Sequence, residues 1–263
     1  MKAAPYFYPG GEREAGPTVF QKTPRLISLD FDGVLAEIAP TPSMAYLQDR
    51  FRKVLTGILA QPETKVIILG GRSVQDLRDK VRLPGILYVG NHGLDFSPPA
   101  AGWGIPALSA WIREVQAARG RLEKLVRSWP QALLEVKGPD LSLHFRRLAP
   151  DRAAVLLPQA LEAVRDLPVD HREGKCVLEI KPADSPGKGH ALRRIADRFF
   201  MGKPPGICVH VGDDPSDEDA FSVLRSMRIT ALGFKVGPEP TQAHYRLRDL
   251  DQVHRFLGSF LRD

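Results

Sequence analysis

Hydrophobic positions follow two different rhythms along the chain. In the first, short apolar runs stand without alternation: RLISLD, KVIILGG, ILYVGNHGLDF with its glycine-rich exit, GICVHVG and ITALGFKVG. Runs of this length predict strands of a parallel sheet covered on both faces, with helices between them. Helices are expected over 44–61, from Ser73 through SVQDLRDKV, over 187–200 and from about residue 218. Ser73, with Asp76 three residues on, has the form of a helix N-cap.

The second rhythm occupies residues 97–186. SPPAAGWGIP (97–106) is a breaker cluster, and a helix is expected over 107–128. LLEVKGPDLSLHFRRL then alternates apolar and polar around a turn at Gly138-Pro139-Asp140, as a hairpin does. A helix over 152–165 and the strand pair VDHREG and CVLEIKP repeat the α-β-β unit. The fold class is therefore α/β: a Rossmann-like parallel-sheet core of residues 25–96 and 187–263, interrupted by an inserted α+β cap at 97–186. Residues 1–24, rich in Pro, Gly and charge, read as a loose arm, and the sequence assigns them no role.

Composition removes several classes of function. The 263 residues are 43% hydrophobic, enough for a packed core. The net charge is +6, but the basic residues are scattered, which predicts a solvated surface and an anion site rather than a nucleic-acid face. Two cysteines without a CxxC argue against a disulfide scaffold or zinc site; both lie in apolar runs and read as buried thiols. No apolar run approaches the roughly 18 residues of a membrane span, and no signal-like run opens the chain, so a cytoplasmic location is expected.

The chemistry begins at the end of the first run. Asp30 and Asp32 are two apart, so both carboxylates can face one point beyond the strand, where open α/β sheets bind ligands. Gly33 allows close backbone approach there. A second acidic group, Asp213, Asp214, Asp217, Glu218 and Asp219, follows another buried strand. Two such groups repel unless a cation lies between them, and hard oxygens suit Mg²⁺. Lys188, in SPGKGHAL just before a helix, can balance the charge of carboxylates and a phosphate.

DFDG, GGRS, the GKG lysine and GDDPSDED, in this order, resemble the haloacid dehalogenase superfamily of aspartate-nucleophile phosphatases. LDFDGVLAEIAPTP, YVGNHGLDF, VKGPDLSLHFR, VGDDPSDEDAF and VGPEPTQAHYRL narrow the resemblance to the trehalose-6-phosphate phosphatases. The resemblance implies Mg²⁺-dependent hydrolysis of trehalose 6-phosphate, the last step of trehalose synthesis. It implies Asp30 as nucleophile and Asp32 as the acid and base. Asp30, the Asp32 carbonyl and Asp213 would hold Mg²⁺, with Asp214 and Asp217 orienting the ligands and Lys188 neutralising phosphoryl oxygens. Gly70, Gly71, Arg72, Asn91 and His92 would face the sugar phosphate from the core. Lys137, His144, Arg146 and Glu179 would clamp the sugar from the cap. Residues 144 and 146 are expected to share a hairpin face.

One position departs from the family pattern. Gly70 stands where the family carries Ser or Thr. Either a backbone N–H or a water takes the place of the hydroxyl, or the phosphoryl step is slower, by on the order of 10² to 10³ for one lost donor. Two rivals stay open. One is the same chemistry on another phosphosugar, such as a glucosylglycerol or mannosylglycerate phosphate. The other is a weakly active sugar-phosphate-binding partner of a glycosyltransferase. A trehalose-6-phosphate synthase is the candidate partner protein.

Overall fold

The computed structural model describes residues 4–7, 17–39, 41–97, 108–174, 176–183 and 185–261. Its elements run β1 (Arg25–Leu29), α1 (Asp49–Leu59), β2 (Thr64–Leu69), α2 (Val74–Val81), β3 (Leu87–Gly90), β4 (Asp95–Ser97), α3 (Leu108–Val126), β5 (Leu133–Lys137), β6 (Asp140–His144), α4 (Pro150–Val164), β7 (Val169–Gly174), β8 (Val177–Pro182), α5 (Lys188–Phe200), β9 (Ile207–Gly212), α6 (Asp217–Arg225), β10 (Thr230–Val236), β11 (Tyr245–Leu247) and α7 (Leu250–Gly258). The chain divides into two units: Met1–Trp103 with Pro186–Asp263, and Gly104–Ser185.

The first unit is built on a seven-stranded sheet in the order β11-β10-β9-β1-β2-β3-β4. Every pairing is parallel except β3 with β4. Each residue of β1 and β9 is buried, which is why their sequences do not alternate. Helix α1 buries Phe51, Val54, Leu55 and Ile58, a stripe at the spacing of one helix face. Ser73 caps α2, its hydroxyl accepting from the Asp76 N–H at 3.2 Å.

The second unit carries an antiparallel sheet in the order β5-β6-β8-β7. Leu141, Leu143, Leu178 and Ile180 point to its core with Leu122 of α3 and Leu156 of α4. The residues between them, Ser142 and Glu179, are register partners on the other face.

The structure departs from the sequence reading in six places. Residues 1–24 are not simply a loose arm: Phe7 and Phe20 are buried and join Phe234, Phe256 and Phe260 in one aromatic cluster. The first helix starts at Asp49, not at 44. Met44 and Tyr46 are exposed while Ala45 and Leu47 are buried, the alternation of extended chain, and Ala45 and Gln48 have extended backbone. The expected third strand is broken, because Asn91, His92 and Gly93 take positive φ of 48°, 54° and 108° and turn the chain back into β4. Tyr245–Leu247, which no apolar run announced, adds the short strand β11. β6 ends at His144, so Arg146 lies exposed in the following turn and shares no strand face with it. Cys208 is buried as expected, whereas Cys176 is exposed, in the tight turn between β7 and β8 at φ 62°. Most of the 97–106 breaker cluster lies outside the described residues.

Candidate active site

Four adjacent parallel strands deliver the site. β9, β1, β2 and β3 end at Gly212, Leu29, Leu69 and Gly90, so Asp213, Asp30, Gly70 and Asn91 each follow a strand directly. The carboxyl edge of the sheet thus places them side by side.

Asp30 is 5% exposed. Its N–H extends the ladder to the Val211 carbonyl, and its Oδ1 accepts the Phe31 N–H at 2.6 Å. The Lys188 ammonium, 1% exposed, donates to Asp30 Oδ2 at 2.5 Å and to Asp217 Oδ1 at 2.8 Å. Lys188 is placed by its helix start. Glycines flank it because the Asp219 carboxylate of α6 presses on both and accepts the Gly189 N–H at 2.8 Å. A side chain at either glycine would collide with Asp219.

Asp32 is held differently. Arg72 grips it with two hydrogen bonds of 2.7 Å, and a third of 2.7 Å reaches Asp76. The guanidinium also lies 5.5 Å from the Phe31 ring centre. Here Arg72, expected to face the sugar phosphate, is the clamp on Asp32. The loop between them is tight: Gly33 at φ 69° leaves room for the Asp213 carboxylate, whose Oδ2 lies 2.0 Å from where a Cβ would sit.

The glycines after β2 are both crowded. A Cβ on Gly70 would be 2.9 Å from Asp30 Oδ1, and one on Gly71 would be 2.7 Å from the His92 ring. The Gly70 N–H donates to the Val89 carbonyl at 3.0 Å, so it is committed to the sheet and cannot replace the missing hydroxyl. The Asn91–Gly93 turn is tied to this corner: Asn91 N–H donates to the Arg72 carbonyl and His92 N–H to the Gly70 carbonyl. Two successive non-glycine residues at positive φ are costly and persist only where their surroundings enforce them. Asn91 is 1% exposed, and its Oδ1 is buried without a hydrogen-bond partner among the described residues.

Electrostatically the site is short of positive charge. Burial, with Asp217 and Asp214 nearby, raises Asp30 well above its usual range against the pull of Lys188. Burial also acts on Asp217, but Lys188 and His210 outweigh it and hold that carboxylate low. Burial and the Asp217 and Asp214 charges push Asp213 up to about 7. Lys188 is raised despite burial, by Asp217, Asp30 and Asp214. Carboxylate oxygens of Asp30, Asp214 and Asp217 lie within 4.8 Å of one another. Hard oxygen donors with one shared ammonium suit a divalent cation such as Mg²⁺. The grouping differs in emphasis from the expected ligands: Asp214 lies with Asp30, whereas Asp213 lies against Gly33. The Asp217 oxygens already accept from Lys188, His210 and the Asp214 N–H.

In the second unit, His144 Nε2 pairs with Glu135 Oε2 at 2.8 Å across β5 and β6. Glu179 of β8 is exposed, in register with Ser142 of β6 and Arg172 of β7. Lys137 lies at the end of β5, but its side chain is outside the described residues.

Three residues of this framework escaped the sequence reading. Ser28 and His210 are paired deep in the sheet, and Lys235 donates to the Asp213 carbonyl; Asp219, read as part of the acidic group, instead seats the start of α5. Ser28 and His210 did leave a signal: each is a polar residue inside an otherwise apolar buried strand.

A Rossmann-like core with Asp30 and Asp32 beyond its central strand, a buried lysine and an acidic turn after the neighbouring strand is the arrangement that the sequence motifs led one to expect of an aspartate-based site. The chain belongs to the trehalose-phosphatase family, whose model matches residues 28–251. Trehalose-phosphate phosphatase B of Arabidopsis thaliana is 30% identical over 246 residues, covering 87% of this chain and 64% of that protein. Probable trehalose-phosphate phosphatase 4 of Oryza sativa subsp. japonica is 32% identical over 237 residues, with the same coverage of 87% and 64%. The chain thus spans just under two thirds of these relatives. The C-terminal domain of Candida albicans trehalose-6-phosphate phosphatase superposes with a TM-score of 0.76 at 20% identity, covering 98% of both chains. No helix among the described residues is long and apolar enough to cross a membrane.

Proposed function

We propose that the chain hydrolyses trehalose 6-phosphate to trehalose and orthophosphate. The observation that carries the reading is Asp30: a buried carboxylate at the end of the central strand, fixed by Lys188, with Asp32 two residues on and held by a separate cation. The family and the named activity of its relatives support the substrate.

In this reading an Asp30 oxygen attacks phosphorus and the phosphorus–sugar oxygen bond breaks. Asp32 gives its proton to the departing sugar oxygen. Asp32 then takes a proton from a water that attacks the phosphorus of the aspartyl-phosphate. Orthophosphate leaves and Asp30 is restored. Lys188 balances the charge on the nucleophile and the phosphoryl oxygens. Arg72 orients the Asp32 carboxylate. Asp30, the Asp32 carbonyl, Asp213 and Asp214 would hold Mg²⁺, which supplies positive charge for the transferring phosphoryl group. Gly71, Asn91 and His92 form the core side of the phosphate site, with Gly70 leaving room for Asp30. Glu179, His144, Arg146 and Lys137 of the second unit are assigned to the sugar.

Phosphate release from a panel of phosphosugars with Mg²⁺ tests the assignment. Turnover of trehalose 6-phosphate well above glucosylglycerol and mannosylglycerate phosphates is expected. Preference for either of the others would move the substrate, and binding without turnover would remove the activity.

A further inference from the structure

The imidazole of His210 lies in the centre of the sheet with no solvent exposure, and both its nitrogens are engaged. Nδ1 is 3.0 Å from the Oγ of Ser28, its register partner on β1. Nε2 is 2.9 Å from Oδ1 of Asp217, the same oxygen that accepts from Lys188 at 2.8 Å. The ammonium in turn reaches Asp30 at 2.5 Å. A continuous buried line therefore runs Ser28–His210–Asp217–Lys188–Asp30. Ionised carboxylates accept only, so the network assigns the ring proton to Nε2 and leaves Nδ1 to accept the Ser28 hydroxyl proton.

This line sets a competition. One ammonium is shared by two buried carboxylates, and the stronger acceptor draws it. His210 gives Asp217 a second donor on the oxygen that faces Lys188, and the Asp214 N–H satisfies the other oxygen at 3.0 Å. With that donor present, Asp217 pulls less on the ammonium, which stays against Asp30. A phenyl ring in the same space would fill the volume and leave Asp217 with Lys188 as its main partner.

Resting on the function proposed above, we infer that His210 is a positioning residue for the phosphoryl-transfer step, acting through Asp217 to keep Lys188 on Asp30, with Ser28 fixing its tautomer. It touches no substrate, so its loss falls on kcat and leaves KM unchanged. The alternative is a histidine that only fills and satisfies the core.

The test compares His210→Phe, His210→Gln and Ser28→Ala in phosphate release from trehalose 6-phosphate with Mg²⁺. A second readout is ¹⁵N NMR of the imidazole in the wild-type protein and in Asp217→Asn. His210→Phe is expected to lower kcat about 10- to 100-fold, the range for a lost hydrogen bond to a charged group, at constant KM. His210→Gln, which can present an amide N–H near the position of Nε2, recovers most of the loss, and Ser28→Ala shows a smaller one. Equal kcat in the Phe and Gln variants overturns the inference, as does a loss carried mainly by KM. NMR is expected to find the Nε2–H tautomer, with a resonance that moves in Asp217→Asn. An Nδ1–H tautomer overturns the inference even if His210→Phe fails to fold. A wild-type protein that releases phosphate from no phosphosugar refutes the proposed function separately, and the tautomer then decides the His210–Asp217 arrangement.

Discussion

Replacing Lys188 by Met leaves the alkyl volume and removes the only ammonium among the described residues that is bonded to Asp30 and Asp217. Those carboxylates are 5% and 0% exposed, so water cannot take over as partner. Asp217 keeps His210 and the Asp214 N–H, and Asp30 keeps the Phe31 N–H. The buried ion pair is nonetheless broken on one side, a change that costs about 3 to 5 kcal/mol. A domain of ordinary stability, roughly 5 to 15 kcal/mol, survives this but with little margin. The variant should relieve itself by binding a proton at Asp30 or Asp217. Its deficit relative to wild type is then smaller at pH 5.5 than at pH 8. Urea denaturation in EDTA at those two pH values reads this directly, and phosphate release with Mg²⁺ should fall by at least about 10² to 10³ from the lost electrostatic stabilisation. A variant with the wild-type midpoint at pH 8, or with undiminished turnover, would refute the charge balance drawn here.

Asp213 supplies a pH prediction of its own. Its folded pKa of about 7 lies above the unfolded carboxyl value of about 3.9. The folded state therefore holds the extra proton between those values, and stability in EDTA should fall as pH rises through that window and level off above it. The difference is about 3 pH units, at most about 4 kcal/mol, and partial exposure of Asp213 reduces it. Mg²⁺ should cancel much of the fall, and Asp213→Asn should flatten it; an equally steep curve in that variant would exclude Asp213 as the source. Gly33→Ala meets Asp213 at 2.0 Å and a φ of 69°, so loss of phosphate release is expected, with a lowered melting temperature. Arg72→Lys cannot keep both 2.7 Å bonds to Asp32, and should lower kcat more than it raises KM. A change confined to KM would return Arg72 to the substrate.

Much of this was legible because it is periodic or local. Unbroken apolar runs reported a doubly covered sheet, and two aspartates after one run, with an acidic cluster after another, reported the site. What escaped depends on pairing between distant strands. Nothing near Arg72 in sequence says that it grips Asp32, forty residues earlier, rather than a phosphate. Ser28 and His210 gain meaning only when β1 and β9 are set in register. The positive φ values at Asn91 and His92 are unusual for non-glycine residues, so the strand reading ran through the turn. Phe7 and Phe20 were hidden in a Pro- and Gly-rich stretch whose composition outweighed two isolated aromatics.

In the proposed reaction Asp30 carries the phosphoryl group. Single-turnover reaction with ³²P-labelled trehalose 6-phosphate and Mg²⁺, acid quench and borohydride reduction tests it most directly. Label is expected on the protein at early times, with homoserine in place of Asp30 in the reduced peptide, and neither in Asp30→Asn. Turnover that leaves Asp30 unmodified at every time point, with phosphate released directly to water, would contradict it.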